Sequence, residues 1–138
     1  MAEAVFAHAV KQNGLSDHFG KIDSAGTAAY HTGESPDSRS AQTCRHHGVP
    51  VNHKARQVRK SDYDTFDYIL CMDTSNLADL QEMAPPGSKA KIQLFGEFDP
   101  QGEKIIKDPY YGGIHGFERN FQQVSRASEG LLKFLGKL

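Results

Sequence analysis

The sequence has little that would set it apart from an ordinary globular domain. It has only two cysteines in 138 residues, and it opens with no signal-peptide pattern. Together these fit a reducing, cytoplasmic setting. It has no apolar run of membrane-spanning length, so membrane association is not expected. It has no excess of either charge: 16 Lys and Arg face 17 Asp and Glu, for a formal net charge of -1. A generic nucleic-acid binder is normally basic, which argues against that class. Internal repeats, low-complexity tracts and the usual Gly-rich nucleotide loops are also missing. What remains is a chain that is 38% hydrophobic and 24% charged, long enough for one core, and best read as a single domain over 1–138.

The periodicity alternates between helix and strand. Val5, Phe6, Ala9 and Val10 have helical spacing, and Asn13-Gly14 is a plausible stop. Residues 21–26 read as a short strand entering a turn, and 37–47 as a helix closed by Gly48-Val49-Pro50. Residues 66–72 form the strongest strand pattern, a nearly continuous apolar run of the kind covered on both faces of a parallel sheet. Asp73 to Asn76 offer caps for a helix carrying Leu77, Leu80 and Met83, which Pro85-Pro86-Gly87 ends. A second strand follows at 92–95, then a long loop over 99–113. Phe117, Phe121, Val124, Ser128, Leu131, Leu135 and Leu138 mark a last helix, in which Gly130 and Gly136 are weak points. This order predicts an α/β three-layer sandwich with a parallel sheet, its site at the C-terminal strand ends.

Few residue groups have the look of chemistry. Asp108-Pro109-Tyr110-Tyr111-Gly112 is the most unusual. The proline holds Asp108 extended, the tyrosines can wall an aromatic pocket, and the carboxyl can protonate a leaving group. The alternative is a surface turn with partly packed tyrosines. Cys44 sits beside His46 and His47, with His53 further on, but adjacent histidines diverge on a helix and no second cysteine is near, so no metal and no cofactor are expected. Cys71 ends the apolar strand, where a buried structural thiol is the default. Ser24 and His53 alone are ordinary polar residues near turns.

Taken together, the stretches MAEAVF, IDSAG, SPDSR, HGVPVNHKARQV, TFDYILCMDTSNLADL, KAKIQLFG and DPYYGG resemble the low molecular weight protein tyrosine phosphatases, in family order and across the whole chain. Bacterial arsenate reductases have a similar fold, but the Asp-Pro-Tyr-Tyr loop favours the phosphatases. The resemblance implies a four-stranded parallel sheet with helices on both sides. It also implies metal-free hydrolysis of phosphotyrosine proteins or aryl phosphates through a phosphocysteine. It places the general acid at Asp108 and the aromatic wall at Tyr110 and Tyr111, with Tyr30 on the opposite wall. Ser24 and His53 match residues that brace the phosphate loop, and Asp73 and Ser75 match the loop after the third strand.

One departure from the family pattern has large consequences. In the family, the helix beginning MAEAVF follows a central strand and a loop carrying Cys, five residues, Arg, then Ser-Pro. Met1 matches the position just after that loop, which leaves out roughly twenty residues, a strand and a tight turn in length. Nothing within the chain replaces them, because the sixth residue after Cys44 is Pro50 and after Cys71 is Leu77. The expectation is a domain without its first strand and nucleophile. Its sheet is then rearranged, or completed by a second copy in a homodimer or larger assembly through open strand edges. Three readings follow: an inactive interaction module, an active phosphatase of which this sequence is a part, and an enzyme using His46, His47 or His53 instead.

Overall fold

The first strand of the sheet, β1, is Tyr68–Cys71, and the second, β2, is Lys91–Leu94. They pair in parallel, with Tyr68 opposite Lys91 and Cys71 opposite Leu94. These are features of a computed structural model that describes residues 1–26, 38–51, 56–106 and 113–137. The helices are α1 (Ala2–Gln12), α2 (Ser38–His46), α3 (Asp62–Thr65), α4 (Thr74–Met83) and α5 (Gly113–Phe134). Short 3-10 turns at Ser16–His18 and Phe95–Phe98 complete the order.

Alternation along the strands sorts the core into two sides. Ile69 and Cys71 of β1 and Ile92 and Leu94 of β2 pack with Leu77 and Leu80 of α4. Leu70, Met72 and Phe95 turn the other way, into a cluster with Val5, Phe6 and Val10 of α1, Cys44 of α2, and Phe121, Val124 and Leu131 of α5. Helices therefore cover both faces, as the α/β reading requires. The apolar run at 66–72 is shorter as a strand than its composition predicts, and Tyr68, Ile69 and Leu70 are only half-buried. The reason is a cleft along the edge of β1 that faces away from β2.

Helix ends follow the sequence signals. Asp73 caps α4 by accepting from the Asn76 N–H at 2.8 Å. Gly14, with φ of 68°, lets the Leu15 N–H reach the Val10 carbonyl at 2.9 Å and closes α1. Gly136, with φ of 73°, does the same for α5: the Lys137 N–H reaches the Leu132 carbonyl at 2.9 Å. The last helix therefore ends at Phe134 and does not run on to Leu138 as the apolar spacing predicts.

The strand expected at 21–26 is a second correction. Among the described residues only Gly26 bridges, in parallel, to Gln57, because no neighbouring strand lies along the rest of the segment. Rearranged pairing inside the chain is likewise not seen among the described residues: the sheet they form holds β1 and β2 alone.

Gly130 has a purpose that helix propensity does not show. A Cβ there would lie 1.7 Å from the Phe98 carbonyl oxygen, so the glycine lets the 3-10 turn lie directly on α5. Propensity alone predicts that Gly130→Ala gains about 1 kcal/mol. The steric conflict is expected to reverse the sign, with a net loss of about 2 kcal/mol in urea denaturation. A stabilised variant would refute this account of the contact.

Candidate active site

The cleft beside β1 has a volume of about 700 Å³. Its walls come from the segment around Ile22 and Ser24, from the outer edge of β1, and from the N-terminal turn of α1 at Ala2 and Glu3. The Ser24 hydroxyl donates to Glu3 Oε1 at 3.2 Å, and its N–H donates to Asp23 Oδ1 at 2.8 Å. Of the described residues that the family resemblance assigns to the site, Ser24 is the one that lines this cleft. Asp73 is occupied as the cap of α4, and Ser75 is exposed in the first turn of that helix. Tyr30, His53, Asp108, Tyr110 and Tyr111 lie outside the described residues.

A charged group on the cleft wall escapes sequence reasoning. Arg56 donates through Nε to Asp23 Oδ2 at 3.0 Å and through Nη1 to Asp62 Oδ2 at 2.9 Å, with Nη2 reaching Asp62 Oδ1 at 3.2 Å. The three side chains are only 18%, 16% and 14% exposed. Burial pulls both carboxyls upward. At Asp23 that pull is outweighed by the Ser24 N–H, the bond with Glu3 and Arg56, and at Asp62 by Arg56 and the Arg59 N–H, so both end below their ordinary value. Arg56 itself is shifted up, chiefly by its bonds to Asp62. The partners are 33 and 6 positions apart in sequence, a spacing with no periodic signature.

Asp99 has a similar partner. Burial raises its carboxyl, while Arg126 Nε at 3.1 Å and the Gln101 N–H at 2.8 Å lower it further than burial lifts it. Three carboxyls thus sit below their ordinary 3.8 in the folded state. A depressed folded value contributes stability above the unfolded value, and that contribution is lost as pH falls through the depressed one. The urea midpoint is therefore expected to hold down to about pH 4 and to fall steadily below it. A midpoint flat from pH 5 to about 2.5 would contradict the three ion pairs.

Neither cysteine is prepared to attack. Cys44 is 0% exposed inside α2, and burial pushes its thiol up. Cys71 borders the cleft, yet burial, with added repulsion from Asp73 and Glu97, pushes it up to about 11, and its Sγ donates to the Gln93 carbonyl. His46, the last residue of α2, and His47 just after it are elsewhere. His47 stacks on Phe121 at 4.0 Å with Nε2 2.9 Å from Glu118, and His46 meets His47 edge-on at 5.4 Å. The two rings therefore touch and do not diverge as expected for neighbours on a helix, because His47 follows the last residue of α2; neither lines the cleft. Among the described residues no group of three His, Cys, Asp or Glu converges as a metal site would.

The sequence pattern described as low molecular weight phosphotyrosine protein phosphatase matches residues 1–138. The chain belongs to that family. It is 48% identical over 136 residues to the low molecular weight phosphotyrosine protein phosphatase of Saccharomyces cerevisiae, covering 96% of this chain and 84% of the yeast protein. The human protein of that name is 45% identical over 135 residues, covering 96% of this chain and 85% of its own length. Among solved structures, a protein tyrosine phosphatase from Entamoeba histolytica superposes with a TM-score of 0.92 at 36% identity, with 99% of this chain and 89% of that one covered. A Drosophila arginine phosphatase superposes at 0.90 and 35%, with 97% and 87% covered. Membership in this family is what the seven quoted stretches of sequence imply. No helix among the described residues is long and apolar enough to cross a membrane.

Proposed function

We propose that these 138 residues are a single cytoplasmic domain of phosphotyrosine phosphatase type that holds the acid and recognition half of the site but no cysteine nucleophile of its own. The observation that carries this reading is the state of the thiols. Both are buried and held protonated, and the residue six positions beyond each is Pro50 or Leu77 where the chemistry needs Arg. In this reading Asp108 protonates the leaving oxygen of a phosphotyrosine protein or aryl phosphate. Tyr110 and Tyr111 wall one side of the substrate cleft, and Tyr30 the other. Ser24 and His53 stand where the family places the braces of its phosphate-binding loop, and Asp73 and Ser75 match the family's loop after the third strand, here following β1.

Support for Ser24 comes from its place on the cleft wall, bonded to the first turn of α1. A second reading has support too. The chain covers 84–86% of its curated relatives, so an active phosphatase of which these residues are one part fits the same comparisons. An aryl-phosphate assay on the 138-residue polypeptide, beside the protein purified from cells with its mass measured intact, separates the readings.

A further inference from the structure

Asn13-Gly14 closes α1, and it joins a reactive dipeptide to a backbone geometry that holds the reaction off. An asparagine loses its side-chain amide when the next backbone nitrogen attacks Cγ. The bond from that nitrogen to Cγ forms, the bond from Cγ to the amide nitrogen breaks, and ammonia leaves with the backbone proton. Water then opens the five-membered imide to aspartate or to isoaspartate, in which the chain runs through the β-carbon. Glycine in the next position makes the attack easiest, because it has no Cβ to shield the nitrogen. The chain has four asparagines, and only Asn13 precedes a glycine; the others precede His53, Leu77 and Phe121.

Asn13 and Gly14 are both exposed, and nothing lies within 4 Å of the place a Cβ on Gly14 would take. What holds them is a set of hydrogen bonds. The Asn13 side-chain N–H donates to the Ala9 carbonyl at 2.8 Å, and the Gly14 N–H donates to the Lys11 carbonyl at 3.1 Å. With ψ of 6° at Asn13, the Gly14 nitrogen eclipses the Asn13 nitrogen. Ring closure needs it to eclipse Cβ, about a third of a turn away. That rotation breaks the Gly14 bond and the bond from the Leu15 N–H to the Val10 carbonyl, while Val10, 3% exposed, stays in the core. The opening that permits reaction is therefore local to residues 11–14.

We propose that Asn13 is a spontaneous modification site, gated by opening of the last turn of α1, whose conversion to an acid unfastens the segment that follows. The new carboxylate faces the Ala9 carbonyl, acceptor against acceptor, and puts a negative charge at the C-terminal end of a helix. The isoaspartate form also adds a backbone carbon between Val10 and Leu15, the two ends of the closing bond. Leu15 and Phe19 pack against the core cluster, Phe19 edge-on to Phe6 at 5.5 Å, and lose their fixed approach.

The test ages the intact 138-residue chain in warm, mildly alkaline buffer beside a peptide running from His8 to His18. Peptide mapping by mass, with isoaspartate detection, reads each asparagine. Asn13 is expected to convert ahead of the other three, about tenfold or more slowly than in the peptide. Its rate should be nearly flat in urea below the unfolding transition, since a local opening exposes little surface. Amide exchange at Leu15 should be about tenfold faster in the converted chain and unchanged in α5. Asn13→Gln, whose longer side chain disfavours the ring, should keep the Leu15 amide at its starting rate over the same period. A rate close to the peptide's, or one that climbs with urea in step with global unfolding, would overturn the proposal. So would an unconverted Asn13 after the peptide has reacted fully, or Leu15 exchange that conversion leaves unchanged.

Discussion

The 138-residue polypeptide is expected to hydrolyse p-nitrophenyl phosphate no faster than buffer, with vanadate without effect. Phosphoryl transfer through cysteine needs a thiolate, a path to it and a cation over the equatorial oxygens. Cys71, at about 11, is ionised in roughly one molecule in ten thousand at neutral pH, and 4% exposure leaves little approach to it. Cys44 is fully enclosed. The guanidinium nearest the cleft, Arg56, is already held between Asp23 and Asp62 and is not free to cradle an anion. Groups that act as a unit lose most of their effect together, so the general acid proposed at Asp108 would not compensate. The deficit against an enzyme with its nucleophile is on the order of 10⁵-fold or more. Cys44→Ser and Cys71→Ser should leave the background rate unchanged. Strong vanadate-sensitive turnover that either substitution abolishes would disprove the assignment.

Removing Arg56 is expected to be the most damaging polar substitution in the described chain. Arg56→Met keeps the aliphatic stem but leaves Asp23 and Asp62 charged, half-enclosed and without their main counter-ion, a loss of about 3 kcal/mol at neutral pH by urea denaturation. The pH dependence should change sign with it. In the native chain the paired carboxyls favour folding above pH 4, whereas unpaired ones are pushed up by burial and favour it when protonated. The gap between variant and parent should therefore narrow between about pH 6 and 4. Adding Asp23→Asn and Asp62→Asn to Arg56→Met should recover part of the loss. A single variant within about 0.5 kcal/mol of the parent would show that the triad contributes little.

Some of this was legible in the sequence. The caps were, because Asp73 and Gly14 act through bonds to residues three to five positions away. So were the two core faces, because Ile69 and Leu70 must point apart. The strand at 21–26 was misread because local composition cannot say whether a neighbour is there to pair with. The end of α5 was misread because apolar spacing carried past Gly136, where the left-handed backbone closes the helix. Gly130 looked like a weakness until the carbonyl of Phe98 came into view above it. Arg56 was invisible for a related reason: its partners come together only through the fold. Ser24 needed family resemblance to be noticed at all, and the structure places it against Glu3.

The packing around Gly96 and Gly130 has a consequence for how such a domain can diversify. A Cβ at Gly96 would meet the Lys104 carbonyl at 2.2 Å, so residues 96–104 are folded tightly on themselves and, through Gly130, onto α5. Just beyond, the Ile106 N–H is bonded to the Met72 carbonyl at 2.8 Å, and α5 begins at Gly113. Ile106 and Gly113 are thus both held by the frame, and Asp108, Tyr110 and Tyr111 come between them in the sequence. Sequence change within residues 96–104 is therefore limited by two backbone contacts at once, one under Gly96 and one under Gly130.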